Sequence, residues 1–264
     1  MRKVLTSVFA IAVLFVFMTS TTLAQTQIVN WENAAVGSNA FDADANLTAT
    51  SNITDLLVES GDPDLTGNYM GQQANNVAAF AHFEWDFDNV AANFTGTATL
   101  SYTVADWGQN FSFEMQDDIG TNAGGGEVGF NGSMGVGSNM FDNGNGDWEG
   151  EVQFPVPNND SDGALKLAAE IPYVNGDSTG QVATMRYTMV SGSNAGGTWS
   201  STLPLVANVQ RLKVFYEREI PSMEHNTKFD DLTFLVPEPG TVGLLLLGLV
   251  GMGFTRSWIR RRRS

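Results

Sequence analysis

A chain of 264 residues with 29 acidic side chains, 13 basic ones and no cysteine fits one ordinary domain plus segments with other duties. A formal charge of −16 argues against nucleic acid as a partner, because phosphate binding needs a basic face. The missing cysteine excludes disulfides, a thiolate nucleophile, cysteine-ligated zinc and iron–sulfur clusters. Seven basic residues crowd the two ends, so residues 25–235 hold six basic against 28 acidic side chains, a balance of −22.

The first element, residues 1–24, reads as a secretory signal peptide. Arg2 and Lys3 start it, Val8 to Met18 is an unbroken apolar run, and small residues lead to Ala24. That order is what signal peptidase reads, and the run is too short for a spanning helix, which wants roughly 20 apolar residues. Cleavage after Ala24 and export to the periplasm or beyond are expected.

From residue 25 to 235 the apolar period is two, the spacing of a strand with one buried face. Ala81, Phe83, Trp85 and Phe87 alternate with polar residues, as do Leu100, Tyr102 and Val104, then Phe111, Phe113 and Met115. Further strands are expected at Glu151 to Phe154, Leu165 to Ile171, Val182 to Val190, Leu212 to Glu217 and Phe229 to Leu235. Clusters of Gly, Asn and Asp punctuate them at Glu59 to Asp64, Gly120 to Gly126, Gly144 to Gly146, Asn158 to Gly163 and Gly192 to Gly197, and read as turns. The expected fold is all-β, a two-sheet jelly-roll-like β-sandwich in a single domain, 25–235.

Phe229, Asp230, Asp231, Leu232, Thr233 and Phe234 resemble the closing strand of carbohydrate-binding-type jelly rolls. Concanavalin- or laminin-G-like sandwiches would give nearly the same spacing. The resemblance implies a last strand beside the first, with Asp230 and an early glutamate, here Glu32, around a structural calcium. Calcium is also the metal that a domain rich in Asp, Asn and loops invites, since hard cations want oxygen ligands. Asn158, Asp160, Asp162 and Gly163 have the opening spacing of a calcium loop. The full EF-hand pattern fails, because its twelfth position is Ala169; a polar turn explains the same residues.

Glu84, Asp86 and Asp88 alternate along one strand face, as the carboxylates of a glycosidase would. The stretch resembles the Glu-x-Asp-x-x-Glu signature of laminarinase-type jelly-roll hydrolases, but the last glutamate, the acid/base, is absent. A solvated acidic face accounts for all three, so no catalytic residue is assigned. Two histidines, His82 and His225, make no zinc site. Trp107, Trp148 and Trp199 fall in or beside turns. They are candidate glycan platforms, because a sugar ring stacks on an aromatic plane; core packing is the plainer use of tryptophan.

The last element, 236–264, has a different grammar. Val236, Pro237, Glu238, Pro239 and Gly240 interrupt regular structure, because two prolines remove two backbone donors. An apolar, glycine-rich stretch follows to Thr255, then Arg256, Trp258 and the run Arg260, Arg261, Arg262 and Arg263. As a helix, Gly240 to Thr255 covers about 24 Å at 1.5 Å per residue. Extended to Ile259 it becomes a single transmembrane helix, with the arginines as its cytoplasmic anchor. This order of Pro-Glu-Pro, apolar helix and arginine cluster resembles the PEP-CTERM sorting signal of exported bacterial proteins. The resemblance implies recognition by exosortase, a transient inner-membrane anchor, and a mature form at the cell surface or in an exopolysaccharide matrix.

The expected function is therefore a non-enzymatic exported surface or matrix protein, with glycan and calcium as candidate ligands. A secreted glycoside hydrolase using Glu84, Asp86 and Asp88, and a structural surface protein without ligand, are the alternatives.

Overall fold

A computed structural model of the chain describes residues 25–50, 56–72, 81–87, 90–105, 111–129, 133–137, 141–142, 148–149, 152–155, 163–192, 194–216 and 228–237. Thr26–Leu235 is one compact unit; residues 1–25 and 236–264 group separately, and of these only Gln25, Val236 and Pro237 are described. The signal peptide and the helix with its arginine cluster lie outside the described residues. Among those described, no helix is long and apolar enough to cross a membrane.

The strands run in chain order β1 (Gln25–Val29), β2 (Leu47–Thr50), β3 (Leu56–Ser60), β4 (Asn68–Gln72), β5 (Ala81–Asp86), β6 (Gly96–Ala105), β7 (Phe111–Gln116) and β8 (Asn122–Gly129). They continue with β9 (Ser133–Gly137), β10 (Phe141–Asp142), β11 (Trp148–Glu149), β12 (Val152–Pro155), β13 (Leu165–Tyr173), β14 (Val182–Met189), β15 (Thr198–Pro204), β16 (Arg211–Tyr216) and β17 (Lys228–Val236). One sheet has the order β15-β14-β13-β6-β17-β4-β3, with β1 also on β17. The second has the order β12-β9-β8-β7-β16-β5-β2, and β10 pairs with β11 alone. The ladders that link neighbouring strands along these three orders are antiparallel. The fold is all-β, as the period of two predicts.

The alternation decides which face is buried. Phe83, Trp85, Phe113, Met115, Leu212 and Val214 of the second sheet are buried, as are Leu100, Tyr102, Leu167, Tyr187, Phe229 and Phe234 of the first. The two layers meet through aromatic rings. Phe83 stands edge-on to Phe229 with centroids 5.1 Å apart, and Tyr102 to Phe113 at 6.2 Å. Each such side chain contributes about 1.5–3 kcal/mol by leaving water, which lets a cysteine-free sandwich stand without crosslinks.

The glycine cluster at Gly120 to Gly126 departs from the expected turn. The turn is confined to Asp117–Thr121, and Asn122–Gly129 is a strand of the second sheet. Sheet separation is the cause. A Cβ at Gly126 would lie 2.6 Å from the Phe113 ring and 2.9 Å from the Tyr187 hydroxyl, and one at Gly124 would lie 2.8 Å from Leu203. Here glycine serves close approach, a use that looks like a turn in sequence.

Candidate functional site

The outer face of the second sheet carries an ordered set of charges. Alternation turns Glu84 and Asp86 away from the core side chains Phe83 and Trp85. Strand register then sets Glu84, Lys213 and Glu114 in one row across β5, β16 and β7, and Asp86, Arg211 and Gln116 in the next. Opposite charges directly across antiparallel strands attract. Arg211 holds Asp86 through Nε, reaches Glu84 at 3.4 Å through Nη1 and donates from Nη2 to the Asp118 carbonyl at 3.4 Å. Lys213 Nζ lies 3.6 Å from Glu84 Oε1.

Glu114 is placed differently. Its Oε2 accepts a 2.6 Å hydrogen bond from Gln116 Nε2. Burial pushes its carboxyl above the usual carboxylate range and Glu84 adds to this, while the Gln116 hydrogen bond and Lys213 pull it down. Gln116 is only 3% exposed, and its Oε1 has no hydrogen-bond partner. Beyond Glu114, the row continues with Gly125 on β8 and Gly137 on β9, two positions without side chains. Sequence reading found Glu84 and Asp86 but missed Glu114, Gln116, Arg211 and Lys213. The signal available was that Glu114 and Gln116 are the polar alternates of β7; their juxtaposition with β5 depends on β16 lying between.

The second candidate is the pair Glu32 and Asp230. β1 does pair with β17, and the two carboxylates lie within electrostatic reach. Burial, then the charges of Asp231 and Glu32, push the Asp230 carboxyl up to about 7, against a hydrogen bond from the Asp231 N–H at 2.8 Å. β17 shifts register between Asp230 and Thr233, and Asp231 has a φ of 55°, so a bulge aims consecutive carboxylates. The Glu32 carboxylate lies against Gly67, itself at φ +77°, where a Cβ would collide with it. Among the described residues, no group of three or more His, Asp or Glu side chains is arranged to hold a metal ion.

The remaining expected residues separate. Asn158, Asp160 and Asp162 lie outside the described residues, as do Asp88 and Trp107, and of Trp148 only the backbone, in β11, is described. Trp199 sits opposite Tyr187 at the edge of the first sheet, and a Cβ at Gly197 would come within 2.8 Å of its ring. Val236 ends β17, buried, and Pro237 is exposed; Glu238, Pro239, Arg256 and Arg260 to Arg263 are not among the described residues.

Val236, the last residue of β17, is followed in sequence by Pro237, Glu238 and Pro239. Residues 235–263 match the PEP-CTERM protein-sorting motif. The chain carries an exosortase sorting signal. The motif is that of an exported protein sorted through an exosortase-dependent pathway. No curated protein matches the chain in sequence. Among solved structures, it is similar to a carbohydrate esterase of the Shiga toxin-encoding bacteriophage phi24B, with 12% identity over 81% of this chain and 99% of that one, TM-score 0.44. Peanut lectin gives 10% identity over 82% and 100%, TM-score 0.43. Lectin I-B4 of Griffonia simplicifolia, in its metal-free form, gives 7% over 82% and 99%, TM-score 0.45.

Proposed function

We propose that this chain is a non-enzymatic surface or extracellular-matrix protein that binds carbohydrate through the outer face of its second sheet. In this reading signal peptidase removes residues 1–24. The helix after Gly240 and its arginines hold the precursor in the inner membrane, and exosortase then releases the sandwich at Pro237, Glu238 and Pro239. The sorting motif at residues 235–263 carries this reading. The half-buried polar side chains Glu84, Lys213, Glu114 and Arg211 on one sheet face support carbohydrate as ligand, because they offer convergent donors and acceptors for sugar hydroxyls. Glu84 and Asp86 are each engaged by Arg211, which favours binding over hydrolysis for that strand.

Two measurements test it. Cell fractionation with and without exosortase should move the protein from surface or medium to the inner membrane; unchanged distribution ends the sorting part. Affinity electrophoresis in gels containing a β-glucan or a glucosamine polymer should retard the protein without release of reducing ends. Hydrolysis that disappears in Glu84→Gln would favour the enzyme alternative, and no retardation by any polymer would favour a structural protein without ligand.

Calcium at Glu32 and Asp230 is the second reading, favoured by a buried carboxyl that two acidic neighbours disfavour as an anion. A calcium ion there would supply the missing positive charge, with backbone carbonyls completing an oxygen shell. Thermal unfolding in about 5 mM calcium, above the 10⁻⁴–10⁻³ M range of weak extracellular sites, should give a higher midpoint than in EDTA. Equal midpoints remove calcium.

A further inference from the structure

One ion pair of the first sheet is enclosed, although it joins residues 166 positions apart. Lys228 opens β17 and directs Nζ to Oδ2 of Asp62, which lies in the turn between β3 and β4. The Asp62 side chain is 3% exposed and that of Lys228 15%, whereas Arg186 and Glu170 are paired at 48% and 44%. Apolar residues close the site. The ammonium stands 5.6 Å from the centre of the Tyr69 ring, Ala105 is opposite Lys228, and Leu65, Tyr69 and Ala105 are buried together. The other oxygen of Asp62, Oδ1, accepts the backbone N–H groups of Asp64 at 2.7 Å and Leu65 at 3.2 Å. A third carboxyl, that of Glu59, is within electrostatic reach of both partners. It lies over Gly71 of β4, where a Cβ would collide with it, and the preceding residue, Met70, is opposite Phe229.

We propose that Lys228 and Asp62 condense to an intramolecular isopeptide bond, Nζ to Cγ, which ties the last strand to the β3–β4 turn. An enclosed ion pair is a weak way to hold two strands, since each charge must leave water; an amide keeps the link and removes both charges. The amine attacks Cγ, so that the bond from Nζ to Cγ forms and the bond from Cγ to Oδ2 breaks. Of the three ammonium protons one stays on the amide and two leave with Oδ2 as water. The step is a condensation and consumes no oxidant or reductant. Charge that develops on Oδ1 is met by the two N–H groups already bonded to it. Strand pairing holds amine and carboxyl in contact, which makes their reaction effectively unimolecular. Glu59 carries protons from Nζ to Oδ2. Burial holds its carboxyl above the usual carboxylate range, Lys228 opposing and Asp62 adding to this, so it can take up a proton and return it. A chain without cysteine thereby gains a covalent closure that is independent of redox conditions.

The test is mass spectrometry of the full-length chain, purified folded in detergent, then denatured and digested with trypsin. The wild type should lack one water, resist cutting after Lys228, and give one branched peptide that contains both Asp62 and Lys228. Lys228→Arg, which keeps an ion pair, and Asp62→Ala should each restore full mass and linear peptides. Glu59→Gln should form the bond about a hundredfold more slowly, read in chains sampled at intervals after synthesis, while still unfolding cooperatively. Glu170→Gln, which removes the same charge from the exposed pair on the same sheet, should crosslink like the wild type. The inference is overturned if the wild type has full mass and is cut completely after Lys228. It is equally overturned if the water loss persists in Lys228→Arg, which would place a dehydration at another residue. Bond formation at the wild-type rate in Glu59→Gln overturns the part given to Glu59.

Discussion

Arg211 stands directly opposite Asp86 and holds its carboxylate through Nε, while Nη1 of the same guanidinium reaches Glu84 at 3.4 Å. One cation thus neutralises two acidic residues of one strand. Arg211→Gln leaves Asp86 without its cation and Glu84 with Lys213 alone, and, with Asp86 partly exposed, is expected to cost about 1 kcal/mol. At roughly 2–4 °C per kcal/mol for a domain of this size, the melting midpoint should fall measurably. Adding Asp86→Asn should restore part of the loss; no recovery would mean that the pair is not what Arg211 stabilises.

Two tyrosines in the core point the other way. Tyr102 and Tyr187 are buried, their hydroxyls have no hydrogen-bond partner, and burial raises both phenols above their ordinary range. An unmet buried hydroxyl costs about 1–3 kcal/mol. Tyr187→Phe should therefore raise the melting midpoint by a few degrees, whereas Tyr187→Ala, which empties a ring-sized volume, should lower it by about 10 °C. Calorimetry on both variants decides; a loss in Tyr187→Phe would show that the hydroxyl has found a partner.

Gly126→Ala tests the closeness of the two sheets. Its Cβ would press on the Phe113 ring and the Tyr187 hydroxyl at 2.6 and 2.9 Å, and overpacking of this kind costs about 1–3 kcal/mol. The paired change Gly126→Ala with Tyr187→Phe should cost less than Gly126→Ala alone, as neighbours that share a contact do. Additive losses would place the strain elsewhere.

The domain's response to pH has an unusual sign. Glu59, Glu114 and Asp230 are all held above the usual carboxylate range by burial, Asp230 at about 7. A folded-state value above the unfolded one means that the unfolded chain binds fewer protons between about pH 4 and 7. Stability contributed by these groups is complete below the ordinary carboxylate range and is lost as pH rises through each folded-state value, which for Asp230 is about 7. In EDTA the melting midpoint should therefore climb by several degrees from pH 7.5 to 5. Below about pH 4 it should fall, as Asp117 and Asp177, both lowered by hydrogen bonds from neighbouring threonines, become protonated. Asp230→Asn should flatten most of the upper slope, raise the midpoint at pH 7.5 and abolish any calcium response. A midpoint that drops steadily on acidification from pH 7.5 would overturn this assignment.

What the sequence disclosed, and what it hid, follows from the range of each interaction. The strands at Phe83, Tyr102 and Phe113 were legible because burial of one sheet face writes a period of two into neighbouring residues. The link between Glu32 and Asp230 was legible only by resemblance, since nearly 200 positions separate them. β8 was misread because the need for glycine there arises from Phe113, Tyr187 and Leu203, which come from three other strands. Glu114 and Gln116 looked like ordinary solvent-side alternates. Their place beside Arg211 and Lys213 appears only when β16 is seen to lie between β5 and β7.

β17 joins β6 on one side and β4 and β1 on the other, and it is also the segment nearest the sorting motif. During export it is the last part of the sandwich to emerge, yet it occupies an interior position in its sheet. A nascent chain stopped or clipped before Lys228 lacks Phe229 and Phe234 and leaves β6 with β13 alone. Completion of the sandwich and delivery of the exosortase signal are consequently events of the same moment. Only a polypeptide that includes this last strand can close its core, and that same polypeptide is the one that carries the sorting motif.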